Sequence, residues 1–116
     1  MSEYSEQAAL FEWVNLSALR MPELQLLYHI PNGEKRNIAT AMKLKRMGVK
    51  AGVPDLHLPV ARQGYNGLYL ELKVNKNKLT DNQKFWKEAL EKERYFVYVA
   101  YGWEEAKNIL EWYLRG

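Results

Sequence analysis

The sequence has no cysteine and only two histidines among its 116 residues. That excludes disulfide frameworks, thiol nucleophiles and cysteine-based zinc sites, and a chain without thiols suits a reducing cytoplasm. Long apolar runs are missing too: none approaches the roughly eighteen residues of a membrane span. The first residues lack the basic-then-apolar order of a secretory signal. A soluble, intracellular protein with no membrane contact is therefore expected. Repeats and low-complexity segments are also absent. What is present is apolar and aromatic content, 47% and 13%, enough for a folded globule rather than a disordered chain. The length suits one domain spanning 1–116. A net charge of +3 and a pI near 9.1 permit a polyanionic partner without demanding one.

The most informative stretch runs from Gly52 to Lys73. Leu68, Leu70 and Leu72 alternate with Tyr69, Glu71 and Lys73, the period of a strand with one apolar face. Glu71 and Lys73 therefore point the same way. A second short apolar run, Asp55 to Val60, is joined to the first by the turn-rich segment 62–67, so the two can pair as a hairpin. That pairing would bring Asp55 beside Glu71. Two carboxylates about 4 Å apart repel by roughly 4 kcal/mol at an effective dielectric of about 20, so a shared proton or an intervening cation is required. With oxygen ligands only, Mg²⁺ or Mn²⁺ is the natural cation.

Around this stretch the chain reads as helix, strand, helix, strand, strand, helix, strand, helix. Ser2 can cap a first helix reaching about Leu19, with Gln7, Leu10, Val14, Ala9, Trp13 and Leu16 facing inward. Glu3 and Glu6 lie in its first turn, where an acid also complements the helix dipole. Leu24 to Ile30 reads as a strand ended by the Pro31-Asn32-Gly33 turn. His29 is given a structural role. A second helix is expected over Ile38 to Met47, contacting the body through Ile38, Ala41, Met42 and Met47. Lys35, Arg36, Lys43, Lys45, Arg46 and Lys50 surround it against the single acid Glu34, a pattern suited to tracking a nucleic-acid backbone. Lys76 and Lys78 add a second basic cluster. Thr80-Asp-Asn-Gln83 opens a third helix as a capping box, Tyr95 to Ala100 forms a covered strand, and Trp103, Ala106, Leu110, Tyr113 and Leu114 share one face of a last helix.

Gly52-x-Pro-Asp55, followed sixteen residues later by Glu71-x-Lys73, resembles the PD-(D/E)xK nucleases, and within them the virus-type replication-repair nuclease (VRR-NUC) domain. The resemblance spans nearly the whole chain: Glu3 four residues before Gln7, His29-Ile-Pro-Asn-Gly33, Leu79-Thr-x-x-Gln83, and Glu105-Ala through Tyr113-Leu. It departs at Lys92-Glu-Arg-Tyr95, where the family's common glycine is replaced. The resemblance implies an α/β, restriction-endonuclease-like fold with a mixed central sheet flanked by helices. It also implies Mg²⁺-dependent hydrolysis of DNA, with Mn²⁺ as substitute. Asp55, Glu71 and the backbone carbonyl of Leu72 would hold the metal, and Glu3 would reach it directly or through water, with Glu6 as the alternative. Lys73 would either orient and deprotonate the attacking water or stabilise the phosphorane, and Gln83 would support the site. Lys43, Lys45, Arg46, Lys50 and Lys76 are the expected DNA contacts.

Stand-alone viral members of this family look like dimeric junction-cleaving nucleases. A homodimer acting on branched DNA, above all the four-way Holliday junction, is therefore expected, inside the host cell if the chain is virus- or phage-encoded. The aromatic residues Tyr28, Tyr65, Tyr69, Trp112 and Tyr113 exceed the needs of a small core and could form an apolar interface. The alternatives are a flap nuclease and a catalytically inactive nucleic-acid-binding module. A sequence-specific restriction enzyme would carry more chain for base readout.

Overall fold

The computed structural model describes residues 2–32 and 37–116. Gly33 of the expected turn, with Lys35 and Arg36 of the basic run, lies outside the described residues. The elements in order are helix α1 (Glu3–Ser17), a 3₁₀ turn (Pro22–Leu26), strand β1 (Tyr28–His29), helix α2 (Ile38–Arg46), strands β2 (Leu56–Leu58) and β3 (Leu68–Lys73), helix α3 (Asp81–Lys92), strand β4 (Phe96–Tyr101) and helix α4 (Trp103–Arg115). The strands form one sheet in the order β1-β2-β3-β4. Its first two pairings are antiparallel and β3 runs parallel to β4, because α3 provides the crossover a parallel pair needs. This is the mixed α/β sheet flanked by helices of the restriction-endonuclease-like fold.

Alternation on β3 sorts the two sides of the sheet. Leu68, Leu70 and Leu72, with Leu56 and Leu58 of β2, pack against Leu10 and Val14 of α1 and Ala106, Leu110 and Tyr113 of α4 in one apolar core. The opposite face carries Tyr69, Glu71 and Lys73 and is the side on which Gln83 of α3 meets Glu71. Tyr113 is fully buried and ties α4 to the hairpin: its hydroxyl donates to the Val60 carbonyl at 2.6 Å and accepts from Arg62 N–H at 3.3 Å. Burial pushes the Tyr113 phenol above its ordinary pKa, so it stays a donor.

Four local expectations need correction. The strand expected over Leu24 to Ile30 shrinks to two residues, because Leu24 and Leu27 are both buried at the three-residue spacing of a 3₁₀ turn. Leu16 is exposed rather than inward-facing; the core stripe of α1 is Leu10, Val14 and Ser17, at intervals of one helical turn. On α2 no residue is buried, and Ile38, Met42 and Met47 are exposed instead of packing on the body. The aromatic surplus is partly consumed inside the molecule. Tyr113 is in the core, Tyr65 stacks on Phe96 with centroids 5.0 Å apart, and Tyr69 stacks on His57 at 4.2 Å. Tyr28 and Trp112 remain exposed.

The departure at Lys92-Glu-Arg-Tyr95 falls on a helix end that favours glycine. After the C-cap Glu93, Arg94 adopts φ of +69°, and Tyr95 N–H donates to the Leu90 carbonyl at 3.1 Å while Arg94 N–H donates to Glu91 at 3.0 Å. This is the hydrogen-bond pattern of a Schellman cap, whose left-handed residue is most often glycine. Arg94→Gly should therefore raise stability by about 1 kcal/mol in a denaturant titration, because it removes the Cβ penalty of the left-handed conformation.

Candidate active site

Four polar side chains are withdrawn from solvent at the end of β3: Asp55 is 7% exposed, Glu71 4%, Lys73 8% and Gln83 6%. Ionisable groups reach such burial almost only where paired or where function holds them. A solvated polar face of the sheet is therefore ruled out for Glu71 and Lys73.

The hairpin register delivers Asp55 to this point. Leu56 pairs with Leu70, so one step further along the antiparallel ladder sets Asp55 opposite Glu71. The Asp55 carboxylate crosses to β3, where Oδ2 accepts the Leu72 N–H at 2.8 Å. No hydrogen bond to its Oδ1 is found among the described residues. The Asp55 carbonyl accepts from Ile30 N–H at 2.7 Å and from His29 Nδ1 at 3.0 Å, which fixes the Nδ1–H tautomer and gives His29 its structural role. Upstream, Gly52 adopts φ of +90°, and a Cβ there would lie 2.6 Å from Asn82 at the start of α3. Only glycine lets this turn close against α3, next to Gln83.

Gln83 has two jobs, as its place in the sequence suggests. Its Oε1 accepts the Thr80 N–H at 2.9 Å in the capping box, and its Nε2 donates to Glu71 Oε2 at 3.3 Å. The cap fixes the amide so that its donor side turns to the carboxylate. For Lys73, no hydrogen bond or ion pair of the ammonium is found among the described residues. Along a strand, the N–H and C=O of one residue point to the same side. Leu72 gives its N–H to Asp55, so its carbonyl is directed to that same edge, while the Lys73 carbonyl is turned to β4 and accepts Gly102 N–H at 3.2 Å.

Asp55 opens onto a cavity of about 750 Å³ whose other walls include Glu3, Tyr4, Gln7, Phe11, His29 and Asn32. Tyr4, Gln7, Ala8 and Phe11 follow each other at helical spacing, a second stripe on α1 distinct from the core stripe. That periodicity was available in the sequence, which nonetheless suggested no role for Tyr4 or Phe11. The two first-turn acids are now separated. Glu3 lines this cavity, whereas Glu6 Oε1 accepts Trp103 N–H at 2.8 Å and caps α4, whose own N-cap, Gly102, has no side chain to do so. Glu6→Ala should cost about 1–2 kcal/mol of stability by removing that cap, with little change in catalytic rate below the melting transition. Glu3→Ala should slow catalysis by more than any change in stability explains. Paired melting curves and nuclease assays check both.

The expected DNA contacts Lys43, Lys45, Arg46, Lys50 and Lys76 are all exposed. Lys45 and Lys50 border a groove that also contains Asn32 and Asn82, and Asn32 is shared with the Asp55 cavity. Lys76 stands in the loop after β3, beside Asn77, whose carbonyl accepts the Tyr101 hydroxyl at 3.0 Å.

The sequence profile of the VRR-NUC domain matches residues 1–104. This chain belongs to the VRR-NUC family. A solved structure described as a VRR-NUC domain protein superposes with a TM-score of 0.80 at 32% identity, covering 99% of this chain and 89% of that one. No curated protein matches at a significant level. Membership places the VRR-NUC chain among the PD-(D/E)xK-type nucleases and gives it a nuclease-type function in general. Nucleases of this kind are generally metal-dependent. In this VRR-NUC domain no group of three or more His, Cys, Asp or Glu side chains suited to a metal is found among the described residues. Its donors at the site are two carboxylates and a backbone carbonyl. That set fits Mg²⁺, which commonly keeps several waters and takes only one or two carboxylates, and does not fit a zinc-type cage.

Proposed function

We propose that this VRR-NUC domain is a Mg²⁺-dependent deoxyribonuclease that cuts branched DNA, the four-way Holliday junction above all, as a symmetric homodimer. The observation that carries the reading is the joint burial of Asp55, Glu71, Lys73 and Gln83, with Asp55 opening onto a cavity that Glu3 also lines. A pure binding module gains nothing from placing buried acids where a phosphate backbone must approach.

Asp55, Glu71 and the Leu72 carbonyl are the groups that would hold Mg²⁺, with Glu3 contributing through water from the α1 side. When bound, Mg²⁺ supplies Lewis acidity, acidifying water and neutralising charge on the phosphate. The rest of the chemistry falls to the protein. Gln83 holds the Glu71 carboxylate in place through its capped amide, and the Leu72 N–H holds that of Asp55. Lys73 Nζ orients the attacking water, takes or relays its proton, or stabilises charge on the pentacoordinate phosphorus. Lys45 and Lys50 carry the DNA backbone along the groove that meets the cavity at Asn32.

A chain of this size has little surface left, beyond its core and one active site, for grasping two duplex arms. Two-fold symmetry supplies a second site and a doubled basic surface, which matches a junction and permits paired nicks. The test is a gel assay on four-way junction, flap and linear duplex DNA with Mg²⁺ or EDTA, together with light scattering at micromolar concentration. Junction-selective, EDTA-sensitive cleavage by a dimer is expected. A monomer with equal rates on junction and duplex would reject the junction reading, and flap-selective cleavage by a monomer would replace it with a flap nuclease.

A further inference from the structure

Helix α2 is the one helix among the described residues with no buried residue. Ile38, Met42 and Met47 are 81%, 62% and 72% exposed. An amphipathic helix whose apolar side faces water needs an occupant for that side. Met42 and Met47 share a groove of about 550 Å³ with Ala39, Lys43 and Arg46, so apolar and cationic groups form a single surface.

The charge pattern selects the occupant. From Asn37 to Pro54 there is no acidic residue, while Lys43, Lys45, Arg46 and Lys50 are present, and none of the four forms an ion pair among the described residues. A second copy meeting this face about a two-fold axis would set these cations against their own duplicates, which is repulsive. A polyanion with accessible apolar surfaces fits instead. Intact duplex offers phosphates but keeps its base faces stacked, whereas a branch point opened to its unstacked form exposes them.

We propose that α2 is a wedge: Met42 and Met47 enter the branch point and pack on unstacked bases while Lys43 and Arg46 hold the flanking phosphates. This rests on the branched-DNA reading above and assigns to α2 the discrimination between branched and linear DNA. Methionine is among the apolar side chains that serve as wedges between base steps in proteins that kink DNA. Methionine adapts its shape to irregular contacts, as an open branch point requires. The groove bearing Lys45 and Lys50 connects α2 through Asn32 to the cavity at Asp55, so a branch point held on α2 presents a nearby strand to the acids.

The test uses the full chain and a four-way junction carrying 2-aminopurine beside the branch point, with Ca²⁺ replacing Mg²⁺ so that strands stay intact. Wild type should raise 2-aminopurine fluorescence on binding. Met42→Gln/Met47→Gln, folded by melting because both sites are exposed, should lose that rise. Its junction-over-duplex affinity ratio should fall about tenfold while the salt dependence stays unchanged. Neutralising Lys43, Lys45 and Arg46 to Gln should act differently, weakening junction and duplex alike and flattening the salt slope by up to about 0.9 log unit for each phosphate no longer neutralised. A methionine double variant with wild-type ratio and fluorescence overturns the wedge, while Mg²⁺-dependent cleavage by wild type leaves the nuclease reading standing. A double variant that turns a dimer into a monomer overturns it as well and makes α2 a subunit contact. Wild-type protein that neither binds nor cuts junctions overturns the underlying reading and the wedge with it.

Discussion

Asp55→Asn and Glu71→Gln should each slow DNA cleavage by at least about a thousandfold and leave the melting temperature unchanged or higher. Both substitutions keep an oxygen acceptor. Asparagine can still accept the Leu72 N–H that Asp55 now accepts at 2.8 Å, and glutamine can still accept from Gln83. The substitution removes a negative charge at a buried position facing a second carboxylate. Its removal relieves the repulsion between the two carboxylates, which keeps the fold intact. The activity loss and the intact fold together separate a functional acid from a structural one. Single-turnover cleavage and thermal melts of the same preparations check it, and an active Asp55→Asn enzyme would remove Asp55 from the site.

Lys73→Ala should lower the cleavage rate by about 10²- to 10⁴-fold with DNA affinity unchanged within error. The side chain is buried at the site rather than spread along the basic groove, so it adds little to the backbone attraction proposed for Lys43, Lys45 and Arg46. Rate and affinity measured on one substrate decide the point: a variant that loses both in equal proportion makes Lys73 a phosphate anchor.

The parts of this site that were legible in the sequence are those governed by strand alternation and by capping. Period two on Leu68 to Lys73 put Glu71 and Lys73 on one side, and the hairpin brought Asp55 to them; the register bears this out. The Thr80 capping box correctly placed Gln83 at a helix start, and the contact with Glu71 follows from the α3 crossover. Distance across the fold was not legible. Glu3 and Glu6 have the same local environment in the sequence, and only the approach of α4 shows that Glu6 is taken up as a cap. Likewise, the apolar side chains of α2 and Leu16 of α1 have the spacing of core positions, yet no neighbouring element among the described residues covers them. The segment 24–30 misled because two leucines three residues apart satisfy burial through a 3₁₀ turn as readily as a strand does through alternation. His57 was missed altogether. It sits among Tyr28, Tyr69 and Tyr95, hydrogen-bonded through Nδ1 to the Tyr28 hydroxyl at 2.8 Å, and burial holds its pKa below the ordinary value.

The central claim is that Asp55 and Glu71 hold a divalent cation, and Mn²⁺ titration calorimetry tests it most directly because it reads the site without DNA. The wild-type chain should bind Mn²⁺ with measurable heat, competed by Mg²⁺, and Asp55→Asn and Glu71→Gln should each lose most of that heat while remaining folded. Mn²⁺ binding of undiminished heat and affinity in both variants would contradict the account.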